Sequence, residues 1–232
     1  MRLCIIETGL TPARLTPEHG AFPQMAIRLL DPYLPDAEFS TVSPVMGETL
    51  PQVHEYDGYV VMGSEHSVLD QADWIDTLRK WIRDAAAADQ PLVGICFGHQ
   101  LMAQAFGAEV QRRSWVTGAT DYSLTANSRT LCSVAYHHDH VVTLPEGAEC
   151  WLSHSDCPIA GIAYQSFPGC SVQSHPEFST SFTRALFEYT RGGELTEQQT
   201  DAAITSLSSP LEPEPIAQRF AATLSSSKTN HA

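Results

Sequence analysis

Short apolar runs alternate with amphipathic stretches through the first half of the chain. The run at residues 59–62 is continuous, as in strands that are buried on both faces of a sheet. Other stretches repeat apolar residues at helical spacing, as Trp74, Leu78 and Trp81 do. The predicted strands are residues 3–6, 38–42, 59–62 and 92–95, and the predicted helices are residues 22–30, 74–88 and 98–106. This order predicts an α/β fold with an open, mostly parallel sheet and helices on both faces.

The second half of the chain has short β-rich runs separated by turn residues. A closing helix is predicted at residues 178–189, so we place one domain at residues 1–191 and a helical, flexible extension at residues 192–232. The extension contains predicted short helices at residues 195–207 and 216–224 and a predicted frayed end at residues 225–232. The β-rich runs predict antiparallel strands at one edge of the sheet, at residues 109–112, 122–124, 132–136, 151–152, 159–164 and 170–173.

The charge balance excludes several classes of function. The 232 residues include 27 Asp and Glu against 13 Lys and Arg, a formal net charge of −14. Nucleic acids and anionic lipids both require clustered cations, so we expect neither as a partner. Glu7 comes too early for a signal peptide, and no apolar stretch is long enough to span a membrane. Six cysteines without a C-x-x-C pair indicate free thiols, and we expect a cytoplasmic protein.

One short segment has the pattern of a nucleophile on a tight turn. Gly94-Ile95-Cys96-Phe97-Gly98 follows a buried run and opens a predicted helix. Flanking glycines leave room for the backbone at such a turn, and the side chain between them projects from the carboxyl end of the sheet. The helix N-terminus favours a thiolate over a thiol. Cys96 is therefore the predicted nucleophile.

The segment His175-Pro176-Glu177 supplies groups that can handle a proton. Residues two apart in an extended stretch project to the same side, so Glu177 can orient the imidazole of His175. The order Cys, His, Glu along the chain differs from the order nucleophile, acid, His of α/β-hydrolases. This order argues against an ordinary esterase.

A third segment predicts an oxyanion hole. Gly63 follows the buried run at residues 59–62, and a glycine there lets a backbone amide approach a substrate oxygen. The amide of Phe97, next to the nucleophile, would provide the second donor. Each such donor typically contributes about 3 to 4 kcal/mol to transition-state stabilisation.

Together these motifs resemble those of the class I, or triad, glutamine amidotransferases, over residues 3–189. The resemblance implies a flavodoxin-like sheet and cleavage of a γ-glutamyl amide through a glutamyl thioester, with no cofactor. It implies that Cys96 is the nucleophile, His175 the general acid and base, and Glu177 its orienting partner. It also implies that Gln100 holds the substrate and that the segment with His138 and Asp139 binds the substrate's amino-acid end.

The chain departs from the family pattern at the oxyanion strand. Amidotransferases of nucleotide synthesis often have Gly-Gly-Pro there, whereas this chain has Gly63-Ser64-Glu65. It is more similar to the branch of stand-alone amidotransferase-like proteins and γ-glutamyl peptidases, and the loop at residues 64–70 would shape a different pocket. No synthetase domain follows residue 191, so ammonia would pass to a separate synthetase subunit, or the reaction would be plain hydrolysis. A low-turnover binding or regulatory module on the same fold is a further alternative.

The run His137-His138-Asp139-His140 also suggests metal ligands. Successive strand residues point to opposite faces, so these four cannot all reach one ion. The sequence offers no second cluster at a suitable spacing. We therefore expect no metal site and interpret the run as a loop beside the substrate.

Overall fold

A computed structural model describes residues 1–127 and 129–226 of the chain. Within this part, nine strands form one mixed sheet in the order β2-β1-β3-β4-β9-β8-β7-β5-β6. The strands are β1 (Arg2–Ile6), β2 (Glu38–Val42), β3 (Gly58–Val61), β4 (Leu92–Ile95), β5 (Val110–Leu124), β6 (Thr130–Val141), β7 (Ala148–Ser153), β8 (Gly161–Tyr164) and β9 (Gly169–Val172). The helices are α1 (Thr16–His19), α2 (Phe22–Leu30), α3 (Asp73–Ala87), α4 (Phe97–Ala105), α5 (Thr180–Thr190), α6 (Glu197–Ser206) and α7 (Glu214–Leu224). Two short 3-10 turns cover Asp31–Tyr33 and Pro44–Met46.

The first half of the sheet is parallel, as predicted. β1 pairs with β2 and β3, β3 pairs with β4, and β4 pairs with β9, all in parallel. The pairing of β4 with β9 aligns Ile95 with Val172. Because the carboxyl ends of parallel strands lie at one edge, the segments after β3, β4 and β9 meet there. These are the segments that carry the predicted glycine, cysteine and histidine.

The second half of the sheet is antiparallel and larger than the edge that the sequence predicts. The assignment of residues 170–173 to that edge is wrong, because this run is β9, which lies between β4 and β8 and pairs with β4 in parallel. The prediction of two separate strands at residues 109–112 and 122–124 is wrong, because β5 runs continuously from Val110 to Leu124. Polar residues between them disguise the strand, which also contains a bulge between Arg112 and Val116. A bulge breaks the alternation of side chains on which the prediction relied.

Helices cover both faces of the sheet and bury its apolar residues. On one face, Ala26 and Leu30 of α2 and Phe220 of α7 pack against Leu3 and Val60. On the other face, α3 and α4 pack against the opposite side chains of β1, β3 and β4. α7 thus lies in the main core although it falls within the predicted extension. Helix α6 packs on β5, where a Cβ added to Gly118 would lie 3.2 Å from Cα of Ala203.

Both helices predicted in the C-terminal segment are present, as α6 and α7. Of the predicted frayed end, residues 225 and 226 follow α7, and residues 227–232 lie outside the described part. Among the described residues, none of the helices is both long and apolar enough to cross a membrane.

Candidate active site

Cys96 lies on a sharp turn between β4 and α4. Its backbone has φ 50° and ψ −99°, a conformation that residues with a side chain rarely adopt. The turn is tight because a Cβ on Gly94 would meet the backbone of Gly98 at 2.8 Å, and a Cβ on Gly98 would meet the carbonyl carbon of Val61 at 2.8 Å. Both glycines are therefore needed where β3, β4 and α4 approach one another. The cysteine is 5% exposed.

His175 and Glu177 form a buried pair just beyond β9. Nδ1 of His175 and Oε1 of Glu177 are 2.8 Å apart, and the imidazole stacks on Phe178 at 4.2 Å between ring centroids. The backbone N–H of His175 donates to the carbonyl oxygen of Val134 on β6. The ring is thus held by a carboxylate, an aromatic face and the neighbouring strand.

The electrostatics of the pair keep a proton on the imidazole. Burial alone lowers the pKa of His175, but the charges of Glu177 and Cys96, with hydrogen bonds to both, outweigh burial and raise the pKa to about 10. His175 is therefore protonated at neutral pH. An imidazolium at this position can act as an acid.

Gly63 lies directly against the cysteine and the histidine. A Cβ at this position would lie 2.8 Å from Cε1 of His175 and 3.7 Å from Cβ of Cys96. Only a glycine leaves that space free. The N–H of Phe97 belongs to the first turn of α4 and has no partner within its helix. The two predicted amide donors thus belong to Gly63, which lies beside Cys96, and to Phe97, which follows Cys96 in the chain.

Gln100 connects the turn to the neighbouring strands. Its Nε2 donates to the carbonyl oxygen of Asp139 at 2.8 Å and to Oε1 of Gln173 at 3.3 Å. Gln173 in turn donates from Nε2 to Sγ of Cys96 at 3.6 Å. The sequence analysis missed Gln173, although it lies two residues before His175 and therefore projects to the same side of an extended chain.

Asp139 and His138 lie beside this network on β6. The carboxylate of Asp139 accepts from Nε of Arg112 at 3.0 Å and from the hydroxyl of Ser67. Burial raises its pKa, but these hydrogen bonds and the charge of Arg112 outweigh burial and lower it below the usual range. His138 packs on Trp115 at 4.2 Å between ring centroids. Ser67, Arg112 and Trp115 carry no motif, so sequence reasoning could not find them.

Except for Gln173, the side chains described above line one cavity of about 680 Å³. Its floor contains Gly63, Cys96, Gln100 and His175. The loop after β3 lines one side, as the sequence predicts for residues 64–70. The other side consists of aromatic and acidic residues of β5, β6, α5 and the segment after α5, namely Trp115, Tyr136, Tyr189 and Glu194. The site is thus a deep pocket with a single thiol at its base.

A comparison with known protein families tests the family relationship that this geometry suggests. The sequence profile of the family described as glutamine amidotransferase class-I matches residues 40–188, which include the turn at Cys96 and the pair at His175 and Glu177. The chain belongs to the class I glutamine amidotransferases. The resemblance that the motifs indicated is confirmed.

Several relatives of this amidotransferase domain carry different names. A glutamine amidotransferase-like protein of Schizosaccharomyces pombe is 32% identical over 164 residues, 66% of this chain and 66% of the relative. Gamma-glutamyl peptidase 3 of Arabidopsis thaliana is 25% identical, covering 62% of this chain and 64% of the peptidase. One subunit of the glutamine-hydrolyzing GMP synthase of Methanocaldococcus jannaschii is 36% identical, covering 44% and 59%. The chain spans about two thirds of the length of these relatives or less.

Solved structures confirm the class I amidotransferase fold. The crystal structure of a glutamine amidotransferase from Thermotoga maritima superposes with a TM-score of 0.73 at 17% identity, covering 97% of this chain and 96% of that one. A glutamine amidotransferase from Methylobacillus flagellatus gives a TM-score of 0.71 at 19% identity, covering 96% and 93%. At these identities the likeness concerns the fold alone.

Proposed function

We propose that this chain is a cysteine amidohydrolase that cleaves the γ-amide of glutamine or of a γ-glutamyl compound. The observation that carries the proposal is the meeting of Cys96, His175 and Gly63 at the base of one cavity. A thiol on a strained turn, beside a protonated imidazole and below a glycine amide, suits attack on a carbonyl group.

In the proposed reaction, Sγ of Cys96 attacks the γ-carbonyl carbon, and the carbonyl electrons move to oxygen. The amides of Gly63 and Phe97 donate to that oxyanion. As the intermediate collapses, the C–N bond breaks and His175 gives its proton to the leaving amine. A water then attacks the glutamyl thioester, loses a proton to His175 and releases glutamate and the thiolate. Glu177 keeps the imidazole in one orientation throughout.

The size of the cavity supports a substrate larger than glutamine. Pockets of about 300 to 1,000 Å³ hold drug-sized ligands, and this one has about 680 Å³. Its wall of Trp115 and Tyr136 lies beyond the thiol and can pack against a leaving group. The name of the Arabidopsis relative, a gamma-glutamyl peptidase, agrees with such a substrate. We therefore favour a free-standing γ-glutamyl hydrolase.

The second candidate is an ammonia-supplying subunit for a separate synthetase. The similarity to one subunit of a glutamine-hydrolyzing GMP synthase favours it. A third candidate, a binding or regulatory module with little turnover, is disfavoured by the paired His175 and Glu177 beside Cys96. All six cysteines are free thiols, which supports the proposal of a reducing, cytoplasmic setting.

The deciding experiment measures glutamate released by the purified full chain from glutamine and from a set of γ-glutamyl peptides. Cys96→Ala is the test variant, and Cys132→Ser, which removes a buried thiol away from the cavity, is the matched control. Fast cleavage of a peptide that is lost only in Cys96→Ala supports the hydrolase. A slow glutaminase that accelerates on addition of an ATP-dependent synthetase supports the second candidate. Equal activity of Cys96→Ala and the parent chain would refute both.

A further inference from the structure

A second cluster of ligating side chains lies behind the active site. His137 and His140 of β6 meet Cys157, which belongs to the connection between β7 and β8. One ligand atom from each residue lies within 4.8 Å of the other two. All three residues are at most 4% exposed. The proposed hydrolysis uses none of these three groups.

Three of the four imidazole nitrogens in this cluster have no hydrogen-bond partner among the described residues. Both ring nitrogens of His137 and Nε2 of His140 are buried without a hydrogen bond among the described residues. A buried polar atom left unpaired costs about 1 to 3 kcal/mol. Three unpaired ring nitrogens beside one thiol indicate that a bound ligand is their partner.

His140 already has the arrangement of a metal ligand. Its Nδ1 lies 3.0 Å from the carbonyl oxygen of Asp156, which can only accept, so Nδ1 carries the hydrogen. The lone pair of the neutral ring is therefore on Nε2, the nitrogen that has no partner among the described residues. Histidines that bind metals commonly donate their other nitrogen to a carbonyl in this way.

The bulge in β5 explains how two histidines three residues apart reach the same point. The β5–β6 register shifts between Arg112 and Val116, opposite the segment that carries both rings. A bulge increases local twist, and the two ring centroids are 4.7 Å apart. His138 and Asp139 lie outside the cluster, in agreement with the sequence analysis. Cys157 completes the cluster from a segment that is distant in the sequence. A search for ligands that are close together in the sequence therefore misses it.

One member of the cluster, His140, also lines a second, smaller cavity. A small cavity of about 90 Å³ is lined by His140, Pro158, Ile159 and Arg113. It is separate from the large pocket, whose lining includes His137 but not His140. An ion can therefore approach His140 without passing Cys96.

We propose that His137, His140 and Cys157 form a binding site for a zinc-type cation. Two imidazole nitrogens and one thiolate are the ligand types that Zn²⁺ selects, with bonds of about 2.0 to 2.3 Å and a tetrahedral arrangement. The three ligand atoms lie within 4.8 Å of one another. Small rotations of the side chains would bring all three close enough to bond one ion at those bond lengths. On binding, the thiol proton leaves to solvent and the sulfur electron pair bonds the ion.

The ion would fasten the connection between β7 and β8 to β6. β6 carries Val134, whose carbonyl oxygen accepts from the backbone of His175, and Asp139, whose carbonyl oxygen accepts from Gln100. A cross-link at His137 and His140 therefore braces the strand that supports one side of the active site. This role is structural, so the binding itself is the property to measure.

The test measures metal in the full chain carrying Cys96→Ala, which removes the competing thiolate of the active site. The chain is stripped with a chelator, incubated with zinc, passed through a desalting column and analysed by mass spectrometry for zinc. We expect about one zinc per chain, and little in versions that also carry Cys157→Ser or His140→Gln. Cys132→Ser, which removes a buried cysteine of β6 outside the cluster, is the matched control and should retain the ion.

Cobalt provides a readout that does not depend on folding of the variants. The Cys96→Ala chain loaded with Co²⁺ should show a thiolate-to-cobalt absorption band, and zinc should raise its thermal midpoint. If the chain retains no zinc, or if the cobalt spectrum contains no thiolate band, the proposal is wrong. Zinc that is retained equally in Cys157→Ser and His140→Gln would also overturn it, since the ion would then bind elsewhere.

Discussion

At the scale of single residues, the site depends on how closely backbone and side chains approach the thiol. Gly63 touches both the imidazole of His175 and Cys96, and no other residue type fits there. A second such feature is the proton on His175. The neighbouring charges keep that proton on the ring, although burial alone would lower the pKa of His175. Each of these features gives a prediction about one side chain.

Gly63→Ala should remove most of the activity while leaving the fold intact. The new methyl group would lie 2.8 Å from Cε1 of His175 and would push the ring away from Cys96. Since loss of an oxyanion donor alone costs about 100- to 1,000-fold in kcat, we expect a loss of at least that size. Steady-state kinetics and circular dichroism measure both properties. Gly193→Ala, where a Cβ meets only an oxygen of Thr190 at 3.5 Å, should behave like the parent chain.

Glu177→Gln should make stability less dependent on pH. The pKa of His175 in the folded chain is raised to about 10, above the usual value of about 6.5. The stability of the charged pair is therefore fully present below about pH 6.5 and is lost as pH rises through about 10. We expect a loss of about 3 kcal/mol in the free energy of unfolding near pH 6, and a much smaller loss above pH 10. Urea unfolding at both pH values checks this; an equal loss at both would contradict it.

The sequence predicted the residues of the site that belong to contiguous motifs. Cys96 between glycines and the His-Pro-Glu segment each combine a chemical group with its local geometry. Among the residues that were missed, Arg112 and Ser67 reach the site from segments far from the two motifs, and Gln173 lies beside a motif but outside it. Their positions depend on strand pairing and on the bulge in β5. No short pattern in the sequence predicts either of these features.

At the scale of elements, α7 contributes to the main core as much as the helices of the first half. Ile216 and Phe220 are fully buried against the sheet face that α2 also covers. Leu224 of the same helix would lie 3.1 Å from a Cβ on Gly58 of β3. The segment after α5 is therefore part of the structure that keeps β3 in place, and with it Gly63.

Phe220→Ala should destabilise the whole chain and not only its C-terminal segment. Removing a fully buried phenylalanine typically costs about 3 to 5 kcal/mol. We expect a single cooperative unfolding transition, displaced to lower urea concentration by that amount. Gln218→Ala, on the exposed side of the same helix, should change stability by less than about 0.5 kcal/mol. A separate early transition for the C-terminal segment would show that α7 does not share the main core.

The elements of the first half were predictable because local pattern and tertiary environment agree. The predicted helix at residues 22–30 and the predicted strands at residues 38–42 and 92–95 coincide with α2, β2 and β4. β5 was not predictable as one strand, because Gly118, with φ +97°, and several polar residues interrupt its pattern. Only pairing along the length of β6 and packing by α6 make that stretch continuous.

At the scale of the whole molecule, the thiols divide into two groups. Cys4, Cys132, Cys157 and Cys170 are buried away from the large cavity, whereas Cys96 lines that cavity and Cys150 is half-buried. Burial also raises the pKa of Cys157 to about 12. The native chain therefore presents few of its six cysteines to a reagent in solution.

A disulfide reagent that releases a coloured product should react rapidly with about two thiols of the native chain. In denaturant it should react with all six thiols. Cys96→Ala and Cys150→Ser should each remove one fast group, and loss of activity should follow modification of Cys96. Peptide mass spectrometry after brief alkylation identifies the residues. Rapid reaction of Cys4 or Cys170 in the native chain would contradict the packing of the core.

The pairing of β4 with β9 has a consequence for how the chain becomes active during synthesis. Ile95 finds its partner, Val172, only after the whole antiparallel half has been made. Contacts between such distant segments form slowly, and a growing chain emerges in order from the ribosome. The proposed nucleophile, Cys96, is thus translated long before His175, and the two side chains meet only when the last parallel strand docks beside β4.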